Sequence, residues 1–241
     1  MPVFNEADGI RETLAELNHA FKNVKEDVHF FIQDDQSTDN TVEIITRSAE
    51  EFGLKVFLES NRTNLGHGPT VINAYMRAIK SDAEVVLQLD SDGQFNPSEL
   101  IKLLDSVRRG AELAIGVRKS RVDPWFRILL TQSLRTLLFI RFRKYFEDPN
   151  SPIRAYKTET LRDLILQIPS NALIPNIYLV VIANLRGRKI ENFVVTHRDR
   201  RGNSKTGSTW VSKSKIKSLT RLSKFAVRAL KELAAFKPKR F

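Results

Sequence analysis

The chain has 241 residues, 41% of them hydrophobic and 28% charged, with a formal net charge of +11 and no cysteine. That length buries the core of one α/β domain and is short for two; the apolar content excludes a disordered chain. The missing cysteine excludes disulfides, thiolate metal sites and a cysteine nucleophile. No signal peptide opens the sequence and no apolar run of about 18 residues occurs, so the expectation is a cytoplasmic protein with at most peripheral membrane contact.

In chain order, Met1-Pro2-Val3-Phe4-Asn5-Glu6 reads as a turn with almost no strand before it. His29-Phe30-Phe31-Ile32-Gln33 is a buried strand that stops at Asp34-Asp35. A helix follows over 40–52, with Val42, Ile45 and Ala49 inward. Residues 55–59 fit another strand, and 68–80 a helix with Val71, Ala74, Tyr75 and Ala78 inward. The run 84–89 is a buried strand ending at Asp90. Pro97 suits the first turn of a helix reaching about residue 109, and 112–116 should be a strand. A further helix is placed at 175–185, opening Ile174-Pro175-Asn176.

Strands alternating with helices imply right-handed crossovers and a mostly parallel central sheet, an α/β fold whose ligands bind beyond the carboxyl ends of the strands. Acids and bases roughly balance over 1–112, whereas 118–144, 186–205 and 213–240 are crowded with Lys and Arg. Two of these stretches, 125–146 and 213–236, alternate apolar and basic residues as interfacial amphipathic helices do; packing on the core competes with that reading.

Asp90 and Asp92 stand one residue apart just past a buried strand, so both carboxylates can approach one cation and its diphosphate. Hard oxygen ligands select Mg²⁺ or Mn²⁺, a cation that offsets charge building on a departing nucleoside diphosphate. Such a pair is also common in solvated turns; its position at the strand end favours the ligand. Asp34-Asp35 closes a second strand on the same side. Asp39 or Asn40 caps the helix that follows, and Asp35 is assigned a hydrogen bond to the base or ribose of a nucleotide. Gly66, in Asn64-Leu65-Gly66-His67-Gly68-Pro69, permits close backbone approach to a ligand. The loop matches neither a Walker nor a dinucleotide-binding spacing, which weakens kinase and dehydrogenase readings.

The ordered set Pro2-Val3-Phe4-Asn5-Glu6, Asp34-Asp35-Gln36-Ser37-Thr38-Asp39-Asn40-Thr41, Asn64-Leu65-Gly66-His67-Gly68 and Gln88-Leu89-Asp90-Ser91-Asp92-Gly93-Gln94-Phe95 resembles the family 2 glycosyltransferases of GT-A fold. Within them it is most similar to the dolichol-phosphate mannose synthase-like, or polyprenyl-phosphate glycosyltransferase, branch. The match covers residues 2–207, expected to form the catalytic domain, with 208–241 a basic helical extension. The resemblance implies that Pro2, Phe4, Glu6 and Asp35 line the nucleoside pocket and that Asp90, Asp92 and Gln94 hold the metal and diphosphate. It places Arg118 at a Gly-x-Arg strand end and Arg127 with Thr131 on a helix facing the phosphates. Asp148 to Tyr156, with Ser151 and Arg154, resembles the acceptor-side segment, although Pro152 stands where the family has Gly. His197 to Lys205, with Ser204, resembles the basic loop that closes over the donor; it is one residue short, which leaves Arg198 and Arg200 as alternatives.

A hydroxyl acceptor needs a general base, typically a carboxylate at the head of a helix below the anomeric carbon. Between Asp163 and Glu191 there is no Asp or Glu. That favours an acceptor already ionised, such as polyprenyl phosphate, with in-line displacement and inversion. Arg118, Arg127, Arg154 and Arg200 would clamp the two phosphorylated substrates, and the basic amphipathic stretches would meet an anionic membrane leaflet. Transfer to a saccharide hydroxyl, a non-catalytic basic scaffold and nucleic-acid binding are the alternatives. The last explains the charge but not the acidic strand ends, and no helix-turn-helix or zinc spacing supports it, so no nucleic acid is expected as a partner.

Overall fold

The computed structural model describes residues 1–118, 125–201 and 215–237, with side chains for 1–118, 131–201 and 223–237. Its elements are β1 (Pro2–Val3), α1 (Ile10–Phe21), β2 (His29–Asp34), α2 (Thr41–Phe52), β3 (Lys55–Ser60), α3 (His67–Ala78), β4 (Val85–Gln88) and α4 (Glu99–Arg108). After them come β5 (Leu113–Arg118), α5 (Trp125–Phe142), β6 (Arg154–Lys157), α6 (Thr158–Ile165), α7 (Pro175–Leu185), β7 (Ile190–Val195) and α8 (Lys215–Ala235). The expected α/β architecture is present, as two ladders. One is wholly parallel, in the order β1-β2-β3; the other runs β4-β6-β5-β7, with β5 and β7 parallel and β6 antiparallel to both its neighbours.

β1 pairs Pro2 with Gln33 and Val3 with Asp34. Two residues cannot bridge β2 and β4 along their length, and a cavity of about 910 Å³ lies there, lined by Phe31, Val71, Tyr75, Val86 and Leu89 among others.

Local sequence explains the packing that fixes the strand ends. In α1 the apolar residues Ile10, Leu14, Leu17 and Phe21 recur every three or four positions and are all buried. Each such side chain contributes roughly 1.5–3 kcal/mol on leaving water. They share a core cluster with Ile32 of β2, Leu89 just past β4, Leu103 of α4 and Ile153. α7 begins with Pro175, whose missing N–H costs nothing at a helix start. Every residue from Pro175 to Ala183 is buried, as suits a helix apolar on all sides. It anchors the second cluster with Val71, Tyr75, Leu113 and Tyr156.

The two basic amphipathic helices are partly core and partly surface. Leu138 of α5 is fully buried, and Ala229 and Leu233 of α8, with Phe236 beyond it, join the same cluster. The Arg141 guanidinium donates to the Phe236 carbonyl (2.5 Å) and so ties one helix to the other. The rest of this region stays open: Phe139 and Ile140 of α5 are 49% and 61% exposed and Tyr145 beyond its end is 67% exposed, next to exposed Arg143 and Lys144. α5 stops at Phe142, four residues before the end expected from the pattern, because Arg143 turns to a φ of 53°. Among the described residues no helix is long and apolar enough to cross a membrane.

Candidate functional site

The carboxyl ends of β2 and β4 bring the acidic motifs to one side of the fold. At β2 the turn after β1 folds over the strand end. Asn5 takes a positive φ of 51°, a conformation that Asn tolerates better than most residues, and its Oδ1 accepts from the Thr38 N–H (2.8 Å). The Asn5 N–H donates to Ser37 Oγ (2.9 Å) and the Glu6 N–H to Thr41 Oγ1 (2.8 Å). Asp39 Oδ1 accepts from the Thr41 N–H (3.1 Å), so the expected cap on α2 comes from Asp39, whereas Asn40 makes no side-chain cap bond.

Asp34 and Asp35 are engaged by the protein itself. Asp34 accepts from the Ser37 N–H. Asp35 Oδ1 accepts from the Leu65 N–H (2.8 Å) and from Asn61 Nδ2 (2.9 Å), and Oδ2 from the Gly66 N–H (2.8 Å). Gly66 meets this carboxylate with a φ of 87°, reachable without strain only by glycine. Asn61, which the sequence reading passed over, is the hub: it donates to Asp35 and Thr70 and accepts from Gln33 and Asn73. Asp35 is therefore placed as the clamp that shapes the Gly66 loop, in addition to any role toward a nucleotide.

The β4 end differs. Asp90 Oδ1 is buried and has no hydrogen-bond partner; the His67 ring nitrogen Nε2 stands 4.0 Å away. A carboxylate oxygen taken from water without a partner is costly. Burial, with the negative charge of Asp90 beside it, raises Asp92 to about 6. The Asp92 carboxylate accepts one bond, from the Gln94 N–H (3.2 Å). Glu6 completes the acidic group. It is 5% exposed and paired with Arg200, yet burial raises it to about 7, with Asp92, Asp90 and Asp39 adding repulsion. Among the described residues no cluster of three or more carboxylates or histidines would hold a metal ion by itself. A divalent cation fits Asp90 and Asp92 on their donor chemistry, since hard oxygens with an unmet charge demand are present and a diphosphate and water would supply the other ligands.

The remaining expected residues fall in several places. Pro2 is buried in β1, Phe4 is half-buried in the turn, and Gln94 is half-buried beyond Asp92 with its carbonyl accepting from the Arg198 N–H (2.8 Å). Arg118 and Asp148 form a two-pronged pair at 2.7 and 2.8 Å, with side chains 11% and 12% exposed. That guanidinium holds the Asp148 carboxyl below the usual carboxylate range against the opposing effect of burial.

Arg154 is corrected from a phosphate clamp to an internal strut. It is fully buried, and its donors go to the carbonyls of Ser151 (2.6 Å), Pro149 (2.5 Å) and Asn176 (3.0 Å), with Tyr156 Oη at 3.3 Å. The Ser151 hydroxyl is buried and unpartnered. Thr131 is half-buried on α5. The Arg127 side chain, Ser204 and Lys205 lie outside the described residues.

At the head of α7 the residue is Asn176. Its Nδ2 donates to the Ser151 carbonyl, and its Oδ1 lies 3.1 Å from the Tyr75 hydroxyl, which itself donates to Gln88 Oε1 (2.5 Å) at the end of β4. No signal in the sequence marks Tyr75 as more than a core aromatic.

A family model described as "Glycosyl transferase family 2" matches residues 1–167. The undecaprenyl-phosphate 4-deoxy-4-formamido-L-arabinose transferase of Edwardsiella ictaluri is 26% identical over 86% of this chain and 62% of its own. The polyprenol monophosphomannose synthase of Mycolicibacterium smegmatis is 28% identical over 69% and 63%. This chain thus spans a little over three fifths of the length of such relatives. The glucosyl-3-phosphoglycerate synthase of Mycobacterium tuberculosis, solved with Mn²⁺ and UDP-glucose, superposes with a TM-score of 0.60 at 19% identity, over 96% of this chain and 75% of that one, a likeness of fold. With two thirds of its length matched to one family model and its acidic motifs gathered at the strand ends of a GT-A fold, the chain belongs to glycosyl transferase family 2.

Proposed function

We propose that the protein is an inverting glycosyltransferase that moves a sugar from a nucleoside diphosphate to a polyprenyl phosphate at the surface of a cytoplasmic membrane. The observation that carries the donor side is the Asp90 carboxylate, partly open at the end of β4 with one oxygen buried and unpartnered and Asp92 beside it. Asp90 and Asp92, with Gln94 adjacent, would hold Mg²⁺ or Mn²⁺, which when bound offsets the charge that develops on the diphosphate. Pro2, Phe4 and Glu6 line the nucleoside end, and Arg200 faces the diphosphate. Residues 1–207 would be the catalytic unit and 208–241 its helical extension.

On the acceptor side, Asn176 stands at the head of α7 where a base would be needed for a hydroxyl, and it is 3% exposed with both amide atoms engaged. A phosphate oxygen needs no base. It attacks the anomeric carbon while the bond to the diphosphate breaks, and the electron pair leaves with the nucleoside diphosphate. The names of the Edwardsiella and Mycolicibacterium relatives support this acceptor class. Phe139, Ile140 and Tyr145 beside Arg143 and Lys144 supply an apolar and basic surface suited to an anionic leaflet.

The test is a release assay with UDP- and GDP-sugars and Mn²⁺, comparing short-chain polyprenyl phosphate with neutral saccharides. Turnover is expected only with the lipid phosphate. Turnover with a saccharide and none with the phosphate would replace the acceptor assignment, and no metal-dependent binding of any nucleotide sugar would remove the donor assignment.

A further inference from the structure

Three arginines lie within four residues after β7, and the fold sorts them. The segment runs beside the Asp92–Phe95 loop: the Arg201 N–H donates to the Asp92 carbonyl (3.0 Å), the Arg198 N–H to the Gln94 carbonyl (2.8 Å), and His197 bridges Phe95. Arg198 reaches both carboxylate oxygens of Glu16 on α1, at 3.2 and 3.4 Å, and adds a bond to the Phe95 carbonyl. Arg201 donates to the same Glu16 carboxylate. Its stem crosses Gly93, where an added Cβ would sit 2.7 Å from Arg201 Cδ, at a φ of 69°. Arg200 turns the other way and pairs with Glu6 beside Asp90 and Asp92.

We infer that Glu16 is the positioning residue of this basic loop: a single carboxylate on α1 gathers Arg198 and Arg201, and so leaves Arg200 as the arginine presented to the diphosphate. The inference rests on reading the crevice as a nucleotide-sugar site, and it decides between the two arginines that the sequence left as alternatives. α1 is a suitable platform. One turn before Glu16, Thr13 Oγ1 donates to the Gly9 carbonyl (3.0 Å) and lies 3.4 Å from the Ser91 carbonyl, so the helix is tied to the Asp90–Asp92 loop it serves. An exposed ion pair is worth little by itself. Here two guanidinium groups share one acceptor while their own backbone N–H groups are fixed to the neighbouring loop, so removing the charge at Glu16 frees both ends of the segment together.

Glu16→Gln removes the charge and keeps the shape. In the full chain, assayed with Mn²⁺, short-chain polyprenyl phosphate and UDP-glucose or GDP-mannose, it is expected to lower kcat/KM roughly tenfold. The same change in an Arg200→Gln background is expected to cost nothing more, since Glu16 acts through Arg200. Glu16→Asp should recover part of the loss. Glu51→Gln, which removes an equal charge from the half-exposed pair with Arg11, should leave activity unchanged. An unaltered kcat/KM in Glu16→Gln, or the same loss with and without Arg200, overturns the inference. Hydrogen exchange provides a readout independent of turnover: the amides of Arg198 and Arg201 should exchange faster in Glu16→Gln while those of β4 do not. Unchanged protection there refutes the positioning role even in an enzyme whose donor is still to be found, whereas a loosened loop in a protein that binds no nucleotide sugar refutes only the functional reading.

Discussion

Two acidic pairs stand at the carboxyl ends of two strands, β2 and β4, on the same side of this molecule, and they end in opposite physical states. At β2, Asp35 accepts three hydrogen bonds from Leu65, Gly66 and Asn61, and Asp34 is capped by the Ser37 N–H. At β4, Asp90 keeps a buried oxygen with no partner, and Asp92 is raised to about 6 by burial and by its neighbour. The first pair is a finished structural joint. The second is an unmet demand for positive charge, retained although it destabilises the empty fold.

This contrast is broken or sharpened first at Asp90 and Asp92. Asp90→Asn or Asp92→Asn should reduce transfer by roughly a thousandfold. The melting temperature without ligand should hold or rise, because the repulsion between the two carboxylates is gone. Stabilisation by Mn²⁺ with a nucleotide sugar, present in the parent, should vanish. Turnover assays and thermal melts measure both, and a variant that keeps turnover would show that the open pair is not the metal site.

Asp35→Ala should behave in the reverse manner. It strands one buried donor, Asn61 Nδ2, and two partly buried ones, the Leu65 and Gly66 N–H groups, at a cost of about 3 kcal/mol by denaturant titration. Arg154→Met is the cationic counterpart. Its guanidinium serves buried carbonyls, so a loss of roughly 3 kcal/mol is expected, with residual activity tracking the folded fraction. Lost turnover at full stability would return Arg154 to the phosphate clamp.

The contrast also marks what the sequence reveals. β2, α2, α3 and α7 follow from apolar periodicity and from Pro175, because their burial patterns are carried by their own residues. β6 is hidden: Arg154-Ala155-Tyr156-Lys157 looks like surface, yet its first three residues are buried, because the arginine finds its acceptors in carbonyls of Pro149, Ser151 and Asn176. The acidic pairs were legible as positions but not as states. Asp35 is satisfied by Asn61 and by the Gly66 loop, 26 to 31 residues away, and no local pattern reports that. Glu16 lies 182 residues from Arg198, and nothing near it in the sequence sets it apart from any helical glutamate.

The smallest expected effect concerns a third kind of carboxylate, one satisfied by a charge. Asp148 is mostly buried and held below the usual carboxylate range by Arg118. Its folded-state value is thus depressed, so its contribution to stability is present above the unfolded value of about 4 and is lost as pH falls through the folded one. Asp148→Asn should therefore be less stable than the parent at pH 7, and the gap should close on acidification below the ordinary carboxylate range. The direction separates this pair from the Asp35 joint, whose loss in Asp35→Ala strands backbone donors rather than a cation. Urea titrations of parent and Asp148→Asn between pH 7 and pH 3 measure the gap; a difference that stays constant across that range would mean that Arg118 does not stabilise the ionised carboxylate.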